Sequence, residues 1–388
     1  MSSYVYYWSP CLNKVGTVIS TVNSALSLSR YSKSKLKPVI INTCGEWEEY
    51  KDFFISNNIK IINLSFFSYF KFLPKTGFLQ SRFSYAIIFI LSFFPLINLL
   101  KKNKVDFFIA HLITSLPLSL FYIFNFNTKL ILRISGYPKL NFFRNFFWKK
   151  VSKKIFKITC PSKELLLKIE KTNIFKKKNL SFLPDAIFKI NDVKKNVLLA
   201  PDIKFDNSKK IILAAGRLTK QKNFNYLINE FEYFYKINKE YILLILGDGE
   251  EKKYLKSLIS KKNLQKQIFM LGRKENVFSY MKNADVFVLS SLWEEVGFVI
   301  VEAAISNLFV ISSDCPNGPK EFLNNSKNGL LFKNNQTGEL SKKLLEFSKL
   351  NNENRFFMKV KLKKNSMKYN IFRHFLIINN LLKKTKYE

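Results

Sequence analysis

Two glutamates, Glu294 and Glu302, stand with seven residues between them, and Gly297 lies inside that interval. Just ahead, residues 286–289 form a short apolar run of the kind buried in a parallel sheet, with Asp285 in the preceding turn. Ser290, Ser291 and Trp293 carry the chain off the strand's carboxyl end, where open α/β sheets bind ligands. Residues 298–304, beginning Phe298-Val299, read as the first turns of a buried helix. A glycine before a helix lets a phosphate approach the first free N–H groups, where the helix dipole favours negative charge. Glu294, in the loop, would lie near the reacting end of such a ligand. Glu302, about two turns along, would reach hydroxyls at its other end, because a carboxylate can accept two hydrogen bonds from a diol. Two glutamates that cap or solvate an ordinary helix would show the same spacing. The next strand, residues 308–312, opens into Ser313-Asp314-Cys315-Pro316-Asn317-Gly318-Pro319. Two strand ends and a helix start therefore converge on one crevice.

A second loop carries the complementary charge. Gly216-Arg217-Leu218-Thr219-Lys220-Gln221-Lys222-Asn223-Phe224 follows the apolar run 211–215. A guanidinium and an ammonium fixed there can clamp a diphosphate without a metal. In so lysine-rich a chain, charge alone would leave Lys220 and Lys222 as solvated surface. No Asp-x-Asp pair stands in these loops, since Asp248 and Asp314 are single, and no required metal or other cofactor is expected.

Taken together, these residues resemble the carboxyl-domain signature of family 4 retaining glycosyltransferases, of the bacterial type that extends surface polysaccharides such as lipopolysaccharide. The Glu-seven-Glu motif is matched by Glu294 and Glu302, and SDCP-x-GP-x-E by Ser313 to Glu321. The resemblance implies the α/β GT-B fold, with two doubly wound Rossmann-like domains facing a central cleft. It implies that Glu294 contacts the donor sugar and Glu302 the nucleotide ribose. Its Gly-Arg-Leu and Lys-Asn-Phe pattern singles out Arg217 and Lys222. By motif position, backbone groups at Asn276 and Val277 would hold the base, and Gly16 would meet the donor diphosphate or the acceptor. His111, at a strand's carboxyl end, would sit close to the donor sugar. Arg133, in Arg133-Ile134-Ser135-Gly136-Tyr137-Pro138, would meet an acceptor phosphate, or equally a core carboxylate. One departure is Glu295, where the family has glycine: it adds charge beside the presumed sugar pocket.

The rest of the chain must position these groups. Its 388 residues suggest two domains. Apolar runs at 39–42, 59–64, 105–110, 130–134, 155–160 and 180–183 are spaced like strands of one α/β domain. Residues 186–210 lose periodicity and read as a connection. Beyond them strands at 211–215, 241–246 and 268–271 alternate with helices, which argues a second doubly wound sheet. The resulting division is 1–186 for acceptor binding, 187–210 as linker, 211–365 for nucleotide-sugar binding, and 366–388 as a helix returning to the first domain.

Composition bounds the partners. A net charge of +36 follows in part from a lysine-, asparagine- and phenylalanine-rich bias, and fits an anionic membrane surface as its functional reading. Nucleic acid is disfavoured, because no helix-turn-helix, zinc-finger or RNA-recognition signature is present. Residues 83–100 hold 18 positions without a charge, interrupted by Ser92 and Pro95, and suit a buried core helix, an interfacial contact or a short membrane span. Cys11, Cys44, Cys160 and Cys315 are scattered and read as reduced thiols. The opening MSSYVYYWSP has no basic region followed by an apolar core, so a cytoplasmic chain, peripheral at the inner membrane face, is expected. The leading expectation is transfer of a sugar from a nucleotide-sugar, UDP-linked, to a glycan or lipid-diphosphate-linked acceptor. The competing ones are a non-catalytic GT-B module that binds an anionic membrane or polymer, and a basic nucleic-acid-binding protein.

Overall fold

The computed structural model describes residues 2–12, 16–74, 78–203 and 208–383. Lys14 and Val15 of the first glycine loop, part of the expected linker (204–207) and residues 384–388 lie outside it. The chain forms two compact units, Met1–Ile187 with Ile371–Glu388, and Phe188–Asn370.

The first unit alternates β1 (Ser3–Trp8), α1 (Gly16–Tyr31), β2 (Leu36–Asn42), α2 (Lys51–Ser56), β3 (Lys60–Asn63), α3 (Phe78–Lys102), β4 (Phe107–Ala110) and α4 (Ser115–Ile123). It continues with β5 (Lys129–Arg133), α5 (Phe142–Val151), β6 (Ile155–Cys160), α6 (Lys163–Glu170) and β7 (Leu180–Phe182). The strands pair in parallel in the order β3-β2-β1-β4-β5-β6-β7, so the winding reverses between β1 and β4. Val5, Ile40, Phe107 and Ile131 bury one face of this sheet, and Tyr6, Val39, Phe108 and Leu132 the other. That two-sided burial is why the strands read as near-continuous apolar runs. β1 carried no such signal, because its Tyr4, Tyr6, Tyr7 and Trp8 are aromatic rather than aliphatic.

The second unit runs through α7 (Ile190–Leu198), β8 (Lys210–Ala215), α8 (Phe224–Ile237), β9 (Tyr241–Leu246), α9 (Lys252–Lys261), β10 (Ile268–Gly272) and α10 (Val277–Asn283). Then follow β11 (Val286–Leu289), α11 (Phe298–Ile305), β12 (Phe309–Ser313), α12 (Gly318–Phe322), β13 (Leu330–Phe332), α13 (Glu339–Lys349) and α14 (Asn352–Ser366). Its parallel sheet has the order β10-β9-β8-β11-β12-β13, with the reversal between β8 and β11. The expected aperiodic connection contains α7, which buries Val193 and packs on α10. It is short and buries a single apolar position, too little to register as a helical period. The last helix, α15 (Ile371–Lys383), belongs to the first unit and packs along α1, with the Tyr31 and Phe372 rings 5.1 Å apart.

The long apolar segment is α3. Gln80–Lys102 is long and apolar enough to cross a membrane by length and composition. Here Ile88, Leu96, Leu99 and Leu100 join the core of the first unit, while Phe83, Ile90, Leu91 and Phe94 remain exposed.

Candidate active site

In the second unit the switch point between β8 and β11 brings the expected residues together. Ligands of doubly wound sheets bind where the strand order reverses. The loop after β8 carries Arg217 and Lys222, and the loop after β11 carries Glu294. Lys222 Nζ makes an ion pair with Glu294 Oε1, and both side chains are largely buried. Ser291 Oγ donates to the same Glu294 oxygen at 2.7 Å. The two loops are sewn together besides: Leu292 N donates to Gln221 O at 2.8 Å and Ser290 Oγ to Lys222 O at 2.8 Å. Glu294 thus has a fixed orientation before any ligand arrives.

Gly297 adopts φ +74°, a left-handed turn that favours glycine, and starts α11. Phe298 and Val299 form its first turn, where backbone N–H groups lack intrahelical partners. Glu302 follows on the same helix. Burial pushes its carboxyl up to about 7, with the Lys222 charge offsetting part of the rise. Among the described residues it has no hydrogen-bond or ion-pair partner, and neither does the exposed Arg217 guanidinium. One free acid and one free cation therefore flank a paired Lys–Glu.

The remaining loops act as braces. A Cβ on Gly247 would lie 1.8 Å from Gly216 O, so the turn after β9 can close on the Arg217 loop only as glycine. Leu218 N donates to Asp248 O at 2.9 Å and fixes that closure. Gly318 likewise packs on the backbone of Glu295 and Val296, 2.4 Å from Glu295 O for an added Cβ. Glu295 itself accepts from Asn317 Nδ2 at 2.9 Å. This side chain, expected to burden the sugar pocket, is held by the loop after β12. Asn276 caps α10 by accepting from Phe278 N at 3.1 Å and donates to Asn196 O at 2.8 Å. Its side chain is occupied, which leaves backbone groups at Asn276 and Val277 for a base.

In the first unit the switch point lies beside His111, which follows β4. His111 Nε2 contacts Ser135 Oγ at 2.6 Å, and Nδ1 faces Thr21 Oγ1 at 3.4 Å. Burial and the Arg133 charge hold the ring at about 3, so it is neutral near pH 7. Gly16 opens α1 on the same side. Arg133 requires a correction. Of its two expected roles, it takes the core one: Nη2 donates to Asp185 Oδ1 at 2.6 Å and Nη1 to Leu183 O at 2.7 Å. It is 5% exposed and committed on both nitrogens. Ser20 Oγ donates to Asp185 Oδ1 at 2.5 Å. Burial works against the charged Asp185, yet Arg133 and these hydrogen bonds hold its carboxyl below the usual range. Nearby, His374 of α15 bonds Ser24 Oγ at 2.8 Å and Pro184 O at 2.7 Å, and both histidines lie within the electrostatic reach of the Arg133–Asp185 pair. Asp185 escaped the sequence reading, whereas Ser291 was read only as part of the strand-end loop. Asp185 had a signal, as the acid that follows the 180–183 strand.

Arg133→Ala leaves Asp185 buried and unpaired, and is expected to cost about 3–5 kcal/mol of stability. Urea unfolding checks this: a phosphate-binding arginine would lower acceptor affinity and leave the midpoint unmoved.

Residues 198–366 match the family described as Glycosyl transferases group 1. An uncharacterized glycosyltransferase of Methanocaldococcus jannaschii is 43% identical over 113 residues, 29% of this chain and 28% of that protein. A Campylobacter jejuni N-acetylgalactosaminyltransferase acting on a diphospho-undecaprenol-linked saccharide is 27% identical over 265 residues, 63% of this chain and 70% of that one. Among solved structures, Anabaena HepE in complex with UDP and glucose superposes with TM-score 0.70 at 14% identity, covering 98% of this chain and 100% of the other. The fold is GT-B.

Proposed function

We propose that the chain, whose residues 198–366 match the group 1 glycosyl transferases, is an enzyme of that family that moves a sugar from a UDP-sugar to a lipid-diphosphate-linked or polysaccharide acceptor, with retention and without a metal. The observation that carries this reading is the Lys222–Glu294 pair at the switch point, flanked by the unpartnered Arg217 and Glu302. Breaking the sugar–diphosphate bond leaves negative charge on the nucleotide and positive character on the anomeric carbon. Arg217, Lys222 and the first-turn amides of α11 would bind the diphosphate and stabilise that leaving charge, each strong donor contributing about 2.7–4 kcal/mol. Glu294 would orient the sugar and offset charge at the anomeric carbon. The acceptor hydroxyl attacks from the leaving-group side, and the departing phosphate takes its proton.

HepE binds UDP and glucose, and the Campylobacter relative acts on a diphospho-undecaprenol-linked acceptor; both support this choice of donor and acceptor. The net charge of +36 and the bare aromatic faces of the first unit support action at an anionic membrane. The test is transfer from a panel of UDP-sugars to polyprenyl-diphosphate saccharides in vesicles of rising anionic lipid content. Transfer that grows with anionic content supports the reading; no transfer from any donor sinks it.

Glu302 adds a pH signature. Ribose hydroxyls donate to an ionised carboxylate, so donor binding favours the charged form and draws its proton off. With a free-enzyme value of about 7, affinity for a UDP-sugar is expected to fall about tenfold from pH 8 to pH 6. Titration calorimetry of Glu302→Gln should give a flat profile. The same shift acts on folding: a raised carboxyl contributes stability below its unfolded value, lost as pH rises through 7, so Glu302→Gln should stabilise the ligand-free protein at pH 8.

A further inference from the structure

The first unit holds an open pocket of about 810 Å³ whose lining extends beyond the expected site residues His111 and Arg133. Its lining includes the rings of Tyr85, Phe143, Phe147 and Trp148, together with His111, Ser135 and Arg144. From 107 to 163 the chain has ten lysines and arginines and no carboxylate. Arg133 also lines the pocket but is neutralised by Asp185, and His111 is uncharged. Arg144 is exposed, and its Nη1 donates to Lys139 O at 3.0 Å, with no carboxylate partner among the described residues. The pocket thus combines a guanidinium that has no carboxylate partner among the described residues with four aromatic side chains.

Outside the pocket the apolar surface continues. Phe142 and Phe143 are each 80% exposed and Phe146 is 59% exposed on α5. Tyr122 of α4 stacks edge-on against Phe147 at 5.8 Å, and Tyr122, Ile123, Ile90 and Phe94 stay bare on the adjoining α4 and α3. Exposed apolar area on this scale marks an interaction surface. A hydrocarbon chain attached to an anionic group would use both the charge and the continuous apolar surface. Lys149 and Lys150 close the last turn of α5.

We propose that this pocket binds the diphosphate of a lipid-carried acceptor, with Arg144 on a phosphate and the first carbons of the hydrocarbon chain on Phe143 and Phe147. The α5 face then leads the chain toward the membrane. The assignment deepens the acceptor reading given above and rests on it. Arg144 replaces Arg133 as the acceptor's anion anchor.

The test uses the full chain and farnesyl diphosphate as probe, against farnesol and inorganic pyrophosphate, with UDP binding measured in parallel. Farnesyl diphosphate is expected to bind at least tenfold tighter than either fragment. Arg144→Gln should lose at least tenfold for farnesyl diphosphate and nothing for farnesol, and Phe143→Ser should lose a similar factor. Both positions are exposed, so folding is spared, and UDP affinity should stay constant in each variant. Pyrophosphate binding as tightly as farnesyl diphosphate overturns the proposal, because the rings would then contribute nothing. Farnesol binding equally well overturns it too, as does full affinity in Arg144→Gln. Farnesyl diphosphate binding as expected, with no UDP affinity at all, supports this pocket and sinks the UDP-sugar reading instead.

Discussion

Arg217→Ala is expected to lower kcat by about 10²–10³-fold, the loss seen when one strong charge-stabilising donor is removed, while leaving the thermal midpoint where it was. The pairing of those two results follows from the geometry. The guanidinium is exposed and has no partner among the described residues, so its loss breaks no contact seen there. Surface changes of that kind usually stay within about 0.5 kcal/mol. The loop beneath it is held by backbone groups and glycines instead: Leu218 N to Asp248 O, Glu251 N to Leu218 O, and the close approach of Gly247 to Gly216. Arg217→Lys should recover only part of the rate, because an ammonium keeps the charge and loses the planar fork that grips two phosphate oxygens. Single-turnover rates with a UDP-sugar, beside a melting curve, decide it. Unchanged rates in Arg217→Ala would remove the diphosphate clamp from the argument.

What the sequence made legible was whatever two-sided burial or a glycine turn imposes. The apolar runs became strands because parallel sheets hide both faces, and Gly297 and Gly318 stand where a left-handed turn or backbone contact needs them. The second unit's loops were readable for the same reason, since its acids and cations follow strand ends directly. Partner choice was not readable. Arg133 could serve a phosphate or a core carboxylate until Asp185 was seen 52 positions away, and no local pattern encodes that pairing. Glu295 looked like a burden on the sugar pocket because its holder, Asn317, lies beyond the next strand. Arg144 went unnoticed because a single arginine among lysines has no periodicity. Only the surrounding rings and the missing carboxylates distinguish it.

Lys222 and Glu294 offer the second large effect, and here stability and activity should separate. Lys222→Met leaves Glu294 buried with Ser291 as its remaining donor and is expected to cost about 3–5 kcal/mol, as for any broken buried pair. Glu294→Met strands the ammonium and should cost a similar amount. Replacing both removes two desolvated charges together, and such exchanges for apolar residues are often neutral or stabilising. The double variant should therefore return to within about 1 kcal/mol of the parent in urea unfolding. Its transfer rate should not return, because the sugar would lose its orienting carboxylate and the leaving diphosphate a cation, about 10³-fold or more combined. A merely structural pair would recover rate and stability alike. Recovery of both would reduce the Lys222–Glu294 contact to a fold clamp, leaving Arg217 and the α11 amides alone at the diphosphate. Recovery of neither would mean that the two side chains hold the strand-end loops in place through contacts other than their charges.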